Sequence, residues 1–343
     1  MKRVLLGMSG GVDSSVSALL LQKMGYEVVG ATMILFEDPN IEVGCLSNSA
    51  VLDAKKVCDK LNIEHHVINL KDDFKNYVIN NFIDSYKKGF TPNPCVECNK
   101  YLKFGKLYEE ALKLNCDYIA TGHYASIRDG KLVKSKEEHK DQTYFLYGIK
   151  KEILDKIIFP LADFSSKEEI RKIAEENDLI VARKKDSQEI CFIPNDDYKS
   201  YLKNNNVKNN HGNFILDGEI IGKHNGITNY TIGQRKGLGI SYKEPLYVVN
   251  IDTNNNQVIL GREKDLYNDK LIAKNVNILV DELPKKVLAK IRYRAKAELA
   301  SLNKIDDDTY EVIFDNPVKS ITKGQSVVFY NNDVCLGGGI IFK

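Results

Sequence analysis

Short apolar runs alternate with helix-like segments through the first half of the chain. Residues 4–7 form a compact apolar run that reads as a buried strand. Ser9-Gly10-Gly11 follows as a loop. Residues 12–24 carry Val16, Leu19 and Leu20 on one face and end at Gly25, a helix with its C-cap. Residues 26–33 predict a second strand, 49–61 a helix, 63–70 a third strand and 104–114 another helix. A short strand over 118–120 runs into Thr121-Gly122-His123. Ser166-Lys167-Glu168-Glu169 has the form of a capping box, so 167–177 predicts a further helix. Strands separated by helices imply an α/β fold with a doubly wound parallel sheet, whose ligands sit at the carboxyl ends of the strands.

The rhythm changes after about residue 197. Asn204-Asn205-Asn206 and Asn209-Asn210 are polar and turn-rich, and helical periodicity fades from Gly212 onward. Residues 248–251, 258–260, 271–279, 287–297, 310–314 and 327–330 read as short strands. Two small β-rich modules are expected, the last a β-barrel. The resulting division is 1–197, 198–265 and 266–343. No internal repeat is visible.

Composition narrows the class. The chain has 343 residues, of which 43% are hydrophobic, enough to build sizeable cores. Lys+Arg number 49 against 47 Asp+Glu, so a polyanion partner must meet a local patch. No apolar run reaches the roughly 20 residues that span a bilayer, and the N-terminus turns to glycine too soon for a signal peptide. Seven cysteines are too few and odd in number for a disulfide scaffold. A cytoplasmic protein with free, ligating or catalytic thiols is expected.

The loop Ser9-Gly10-Gly11-Val12-Asp13-Ser14-Ser15 stands between a strand and a helix. Paired glycines let backbone N–H groups gather round an anion, and a helix start adds unpaired amides. A tight strand–helix turn is the plain alternative. No lysine ends the loop, unlike a Walker loop; Asp13 stands there instead and suits Mg²⁺. The string resembles the pyrophosphate loop of ATP pyrophosphatases, which cleave ATP between the α- and β-phosphates and adenylate a carbonyl or carboxyl oxygen.

Cys95 and Cys98 lie in Thr91-Pro92-Asn93-Pro94-Cys95-Val96-Glu97-Cys98-Asn99-Lys100, where the prolines predict a rigid, non-helical loop. A closed zinc site lacks a second Cys-Xaa-Xaa-Cys. A redox dithiol and a catalytic thiol remain open. Free thiols with a pKa of about 8.5 need activation, and Lys100, Lys103 and His123 are nearby cations in sequence. Cys191 stands in Asp186-Ser187-Gln188-Glu189-Ile190-Cys191-Phe192-Ile193. Cys45, Cys58, Cys116 and Cys335 read as small core residues. His65-His66 reads as structural; His139, His211 and His224 read as surface residues.

Further strings occur in order: Ala120-Thr121-Gly122-His123-Tyr124-Ala125, Lys140-Asp141-Gln142-Thr143-Tyr144-Phe145-Leu146, Thr231-Ile232-Gly233-Gln234-Arg235-Lys236-Gly237-Leu238-Gly239, Lys290-Ile291-Arg292-Tyr293-Arg294 and Gly324-Gln325-Ser326-Val327-Val328-Phe329-Tyr330. With the glycine loop and the cysteine segments, they resemble the bacterial tRNA-specific 2-thiouridylase family from Arg3 to about Ile341. The resemblance implies an ATP-dependent replacement of the 2-oxygen of a wobble uridine by sulfur. It assigns ATP to Gly7, Met8, Ser9, Gly10, Gly11, Val12, Asp13, Ser14, Met33 and Gly122. It makes Cys98 the nucleophile and Cys191 the persulfide carrier, with Asn93, Pro94 and Cys95 facing the target base. His123, Lys140, Asp141, Gln142, Arg292, Tyr293 and Gln325 become tRNA contacts. The implied partners are tRNA and a cysteine desulfurase or sulfur-relay protein, acting on a monomer.

Either a persulfide on Cys191 attacks carbon 2 directly, or Cys98 attacks that persulfide, releases sulfide and leaves a Cys98–Cys191 disulfide. Many members of the family carry Asp where this chain has Cys95. That leaves the acid/base role there open. It also raises a variant in which Cys95, Cys98 and Cys191 hold a [4Fe–4S] cluster that activates hydrosulfide.

Lys290, Arg292, Arg294 and Lys296 alternate with other residues, so a strand there puts four cations on one face. That face is either plainly solvated or a phosphate-tracking stripe. Arg183-Lys184-Lys185 and Arg235-Lys236 are two further basic clusters. The competing classes are an amidating ATP pyrophosphatase, which needs neither Cys98 nor Cys191, and an RNA-binding ATP or cluster sensor without catalysis.

Overall fold

The computed structural model describes residues 1–36, 48–184 and 190–343. Cys45 and Lys185-Asp186-Ser187-Gln188-Glu189 lie outside the described residues. The chain divides into two compact units. One comprises Met1–Ile79, Pro94–Asp196 and Asp333–Cys335; the other comprises Asn80–Asn93, Asp197–Asn332 and Leu336–Lys343.

The first unit is the expected α/β layer. In order come β1 (Arg3–Gly7), α1 (Val12–Lys23), β2 (Glu27–Ile34), α2 (Asn48–Lys60), β3 (Glu64–Asn69), β4 (Tyr118–Ala120), the hairpin strands β5 (Ala125–Arg128) and β6 (Lys131–Lys134), and β7 (Ile157–Ile158). A parallel sheet runs β3-β2-β1-β4-β7. Val4, Leu5 and Leu6 are fully buried, as a strand covered on both faces requires. Val16 and Leu21 of α1, Val57 of α2, and Ile170 and Ala174 of the helix Lys167–Glu176 share one core. Ser166 caps that last helix, its Oγ accepting from the Glu169 amide at 3.3 Å. Cys58, Cys116 and Cys335 are buried, and His65 bonds Thr32 Oγ1 at 2.8 Å. The strand order reverses between β1 and β4, so a crevice opens at their carboxyl ends.

The cysteine segment departs from expectation. Pro94–Glu97 is helical and continues as a π-helix over Cys98–Lys106 and an α-helix over Leu107–Lys113. Proline at a first helical position loses no hydrogen bond, so Pro94 starts this helix rather than breaking it.

The second unit is β-rich, with one unforeseen helix. Tyr198–Asn204 is capped by the Asp197 carboxylate, which accepts from the Ser200 amide at 3.1 Å. Its Tyr198 stacks on Tyr86 of the helix Asn80–Lys87. A sheet of β8 (Gly212–Leu216), β9 (Glu219–His224), β10 (Tyr247–Asp252) and β11 (Gln257–Gly261) runs β10-β11-β8-β9 around Phe214, Tyr230, Val248 and Val258. His224 is buried in it rather than exposed. Its Nδ1 accepts from the Gly226 amide at 3.0 Å, its ring meets Phe214 and Tyr230, and burial pushes its pKa down.

The last six strands are β12 (Tyr267–Ile278), β13 (Lys286–Lys290), β14 (Glu298–Lys304), β15 (Tyr310–Lys319), β16 (Ser326–Asn331) and β17 (Val334–Ile341). They run β12-β15-β14-β13-β16-β17, and β17 pairs back to β12, which closes a six-stranded barrel. β13 ends at Lys290, so Lys290, Arg292, Arg294 and Lys296 do not share a strand face. The cause is Arg292. Its guanidinium turns inward to donate to Ile232 O at 3.0 Å, Ser320 O at 3.2 Å and Thr322 Oγ1. Arg294 and Lys296 stay at the surface, both exposed. No helix among the described residues is long and apolar enough to cross a membrane.

Two glycines with left-handed backbones separate strain from crowding. Gly10 has φ +65° and a Cβ there would lie 2.3 Å from Ala50 O; Gly130 has φ +69° and open space around it. Gly130→Ala should cost about 1–2 kcal/mol of conformational strain. Gly10→Ala should cost a further ~1–3 kcal/mol from the clash. Urea melts of the two variants measure the difference; equal costs would contradict the tight seating of the loop.

Candidate active site

A cavity of about 220 Å³ lies in the crevice at the carboxyl ends of β1 and β4. Gly7, Met8 and Ser9 reach it from β1 and the glycine loop, Asp13 and Ser14 from the first turn of α1. Met33 and Leu35 make an apolar wall at the end of β2; Thr121, Gly122 and His123 follow β4; Lys103 and Gln142 complete the lining. Seven residues assigned to ATP from sequence are therefore together: Gly7, Met8, Ser9, Asp13, Ser14, Met33 and Gly122. Gly10, Gly11 and Val12 act from behind. Val12 is buried in the core, and Gly11 O accepts from the Ser15 amide and both the Ser14 and Ser15 hydroxyls.

The cavity wall is backbone because side chains do not fit. A Cβ on Gly122 would lie 3.0 Å from Asp13 C and Ser14 N. Ser14 Oγ stands 3.2 Å from both the Ser9 amide and Ser9 Oγ, which folds the loop over the start of α1. The first amides of a helix lack intrahelical partners and bind anions readily.

Two lysines outside the residues assigned to the nucleotide brace this loop. Lys167 Nζ, itself buried, meets both Asp13 carboxylate oxygens at 2.6 Å, and Tyr124 OH donates to Oδ1 at 3.0 Å. The Asp13 carboxylate is thus filled by an ammonium, and among the described residues no group of three acidic or other ligating side chains stands ready for Mg²⁺. Lys184 Nζ donates to Gly10 O at 3.0 Å and to Asp53 Oδ2 at 2.8 Å. Lys184 therefore turns inward, while Arg183 is exposed. Arg171 donates to Ala182 O and Lys184 O, and Lys184 in turn ties this stretch to the glycine loop.

His123 is buried, and desolvation followed by the Lys103 charge holds its pKa well below the usual value, so the imidazole is neutral. Its Nδ1 lies 2.7 Å from Thr121 Oγ1 and its Nε2 lies 3.4 Å from Lys103 Nζ.

Cys98 is buried at the first position of the π-helix, Cys95 is exposed, and Cys191 is half-buried. Asn99 beside Cys98 is buried and donates to Phe145 O at 3.0 Å. Phe192 and Ile193 anchor the Cys191 segment, Phe192 packing edge-on against Phe74, which stacks on Phe36 next to Leu35. Among the described residues no three His, Cys, Asp or Glu side chains stand where they could hold a metal ion. Cys95, Cys98 and Cys191 thus do not fit a cluster in this arrangement.

The residues assigned to tRNA scatter over different settings. Lys140 is exposed. The Asp141 carboxylate is buried and accepts from the Ser135 and Thr143 amides and from Thr143 Oγ1. Gln142 Oε1 accepts from the Tyr124 amide at 2.9 Å beside the cavity. Lys290 Nζ lies 5.6 Å from the Tyr293 ring centroid. Gln325 Nε2 donates to Thr91 O at 3.0 Å and Pro92 O at 3.4 Å, holding the strand of chain that leads to Asn93 and Pro94. Lys167 was visible only as part of a capping signal; Lys103, five residues after Cys98, offered spacing as its signal.

The chain matches the tRNA methyl transferase HUP domain family over residues 2–195, the tRNA methyl transferase PRC-barrel domain family over 199–262, and the aminomethyltransferase beta-barrel domain family over 268–341. It is 48% identical to the tRNA-specific 2-thiouridylase MnmA of Clostridioides difficile (strain 630), covering 100% of this chain and 98% of that protein. It is also 48% identical to the protein of the same name from Acetivibrio thermocellus, with 99% of each covered. With the glycine loop, the cavity and the thiols in place along the same full-length match, the chain belongs to the tRNA-specific 2-thiouridylase family.

Proposed function

We propose that this chain is an ATP-dependent tRNA thiolase that replaces the 2-oxygen of a wobble uridine by sulfur, giving 2-thiouridine, AMP and pyrophosphate. One observation carries the reading: a cavity built on an anion-binding loop is also lined by Lys103, from the same helical stretch that begins with Cys98. A carbonyl oxygen leaves very poorly; its adenylate leaves as AMP. The glycine loop receives the pyrophosphate, while Met33 and Leu35 offer apolar surface to the base. The uridine must leave its stack to reach such a cavity.

Sulfur then attacks carbon 2 and AMP departs. Cys191 carries that sulfur as a persulfide supplied by a cysteine desulfurase or sulfur-relay protein; Cys98 attacks Cys191 Sγ, the persulfide S–S bond breaks with its electrons going to the outer sulfur, and the resulting Cys98–Cys191 disulfide is reduced by an external thiol before the next turnover. Among the described residues no three His, Cys, Asp or Glu side chains are placed to share a metal, which favours this route over a cluster, and no step here runs through iron or Mg²⁺. The proposed division of labour is catalysis by 1–197, a central module over 198–265 and a tRNA-binding barrel over 266–343, in a cytoplasmic monomer.

Two measurements test this reading. Purified protein given ATP, a persulfide donor and tRNA should form 2-thiouridine. Cys98→Ser and Cys191→Ser should each lower that yield by about 10³-fold or more, as removal of a nucleophile does, yet keep tRNA-dependent pyrophosphate release. Full thiolation by both serine variants would sink the thiol mechanism and favour a synthetase of another kind. For the tRNA surface, Arg294 and Lys296 should each contribute about one unit to the salt slope of tRNA binding. Arg294→Ala with Lys296→Ala should therefore flatten that slope at unchanged melting temperature. Arg292→Ala should mainly lower the melting temperature, because Arg292 ties Ile232 to Ser320. A slope unchanged in the double variant would remove this turn from the tRNA face.

A further inference from the structure

We infer that Lys103 is a catalytic residue: its ammonium, seated on His123, meets the α-phosphate of ATP as the uridine oxygen attacks. This rests on the adenylation reading above and deepens it.

The charges of the first unit lead to Lys103. Three lysines stand around the glycine loop. Lys167 is neutralised by Asp13 and Lys184 by Asp53. The hydrogen-bond partner of Lys103 is an imidazole instead. Burial keeps that imidazole uncharged, so it orients the ammonium without cancelling it. Lys103 is also the cation among the described cavity-lining residues, where Asp13 is already paired. An uncompensated cation in a partly enclosed cavity implies an anionic ligand, and there its field is worth more than in water.

The tautomer follows from the partners. An ammonium has donors only, so His123 Nε2 must accept from Lys103. Nδ1 then carries the proton and donates to Thr121 Oγ1 at 2.7 Å. Thr121 fixes the ring and the ring fixes Lys103, which lines the cavity.

The placement selects the α-phosphate. Cys98 and Lys103 both belong to the π-helix Cys98–Lys106 and are five residues apart. Five is the hydrogen-bond repeat of a π-helix, so the two side chains follow one another about one turn apart. The loop side of the cavity suits the departing pyrophosphate. The helix that carries the thiol suits the phosphorus and carbon that react. In the step concerned, uridine O2 forms a bond to the α-phosphorus as its bond to the bridging oxygen breaks. Pyrophosphate leaves with the electron pair, and solvent takes the N3 proton. Negative charge rises on the non-bridging α-oxygens in the transition state, within reach of a cation that needs no rearrangement. His123 and Thr121 are positioning residues for it.

The test compares wild type, Lys103→Met, Lys103→Arg and Thr121→Val by tRNA-dependent AMP formation, ATP binding and the salt slope of tRNA binding. Lys103→Met should lower kcat by about 10²–10³-fold, as loss of one transition-state donor does, with KM for ATP and the tRNA salt slope changed little. Lys103→Arg should recover part of kcat. Thr121→Val, nearly isosteric, should lower kcat by about 3–10-fold at unchanged KM. If Lys103→Met fails to bind ATP, Lys103→Arg and Thr121→Val carry the same criteria. An unchanged kcat in Thr121→Val, or a Lys103→Met variant with normal kcat and a salt slope reduced by about one, overturns the inference; the latter would make Lys103 a contact to a tRNA phosphate. Absence of tRNA-dependent AMP in wild type would instead overturn the adenylation reading itself.

Discussion

On the proposed reading the glycine loop presents bare backbone to a polyphosphate, and much of the first unit is arranged around that exposed backbone. Gly10 and Gly122 are glycine because carbonyl and amide atoms of neighbouring segments occupy the space of a side chain. A loop without side chains has little to hold it, so it is braced from outside. Lys184 grips the Gly10 carbonyl, three donors converge on the Gly11 carbonyl, and Lys167 fixes Asp13 at the first turn of α1. The Asp13–Lys167 pair is costly to break: an unpaired buried partner costs roughly 3–5 kcal/mol. Such a pair is best read as scaffolding that keeps the loop open towards its ligand.

The same braces join pieces of chemistry that are far apart in the chain. Lys184 and Arg171 secure the segment that leads to Cys191, and Phe192 wedges that segment against Phe74. In the second unit, Gln325 holds the backbone of Thr91 and Pro92, from which the chain enters the helix of Cys95 and Cys98. The thiols thus stand at the ends of segments anchored elsewhere, an arrangement suited to groups that must meet a shared substrate in turn.

The alternation of strand and helix, the glycine loop and the residues after β4 were legible because each has a local cause: period, capping, or glycine where backbone must approach. The last module was legible as a barrel from its short strands between turns, and β17 pairing back to β12 closes it. What escaped had a tertiary cause. Pro94 was read as a helix breaker, yet it occupies a first turn where no amide is needed. Lys290 to Lys296 alternate like a strand, but three acceptors on two other segments draw Arg292 inward and end β13 early. His224 looked polar by neighbourhood and is buried by its partners. Lys103 was marked as a cation near the thiols, Lys184 as part of a basic cluster and Lys167 as part of a capping signal, and only the carboxylates or imidazole opposite them give each its place. The near-neutral total charge hides these differences entirely.

If adenylation activates the uridine, its 2-oxygen leaves on AMP. Transfer RNA labelled with ¹⁸O at carbon 2 of the wobble uridine, incubated with the protein, ATP and a persulfide donor, tests this directly by mass analysis of the nucleotide product. One ¹⁸O is expected in the phosphate of each AMP released with each 2-thiouridine formed. Unlabelled AMP alongside 2-thiouridine would contradict activation by adenylation.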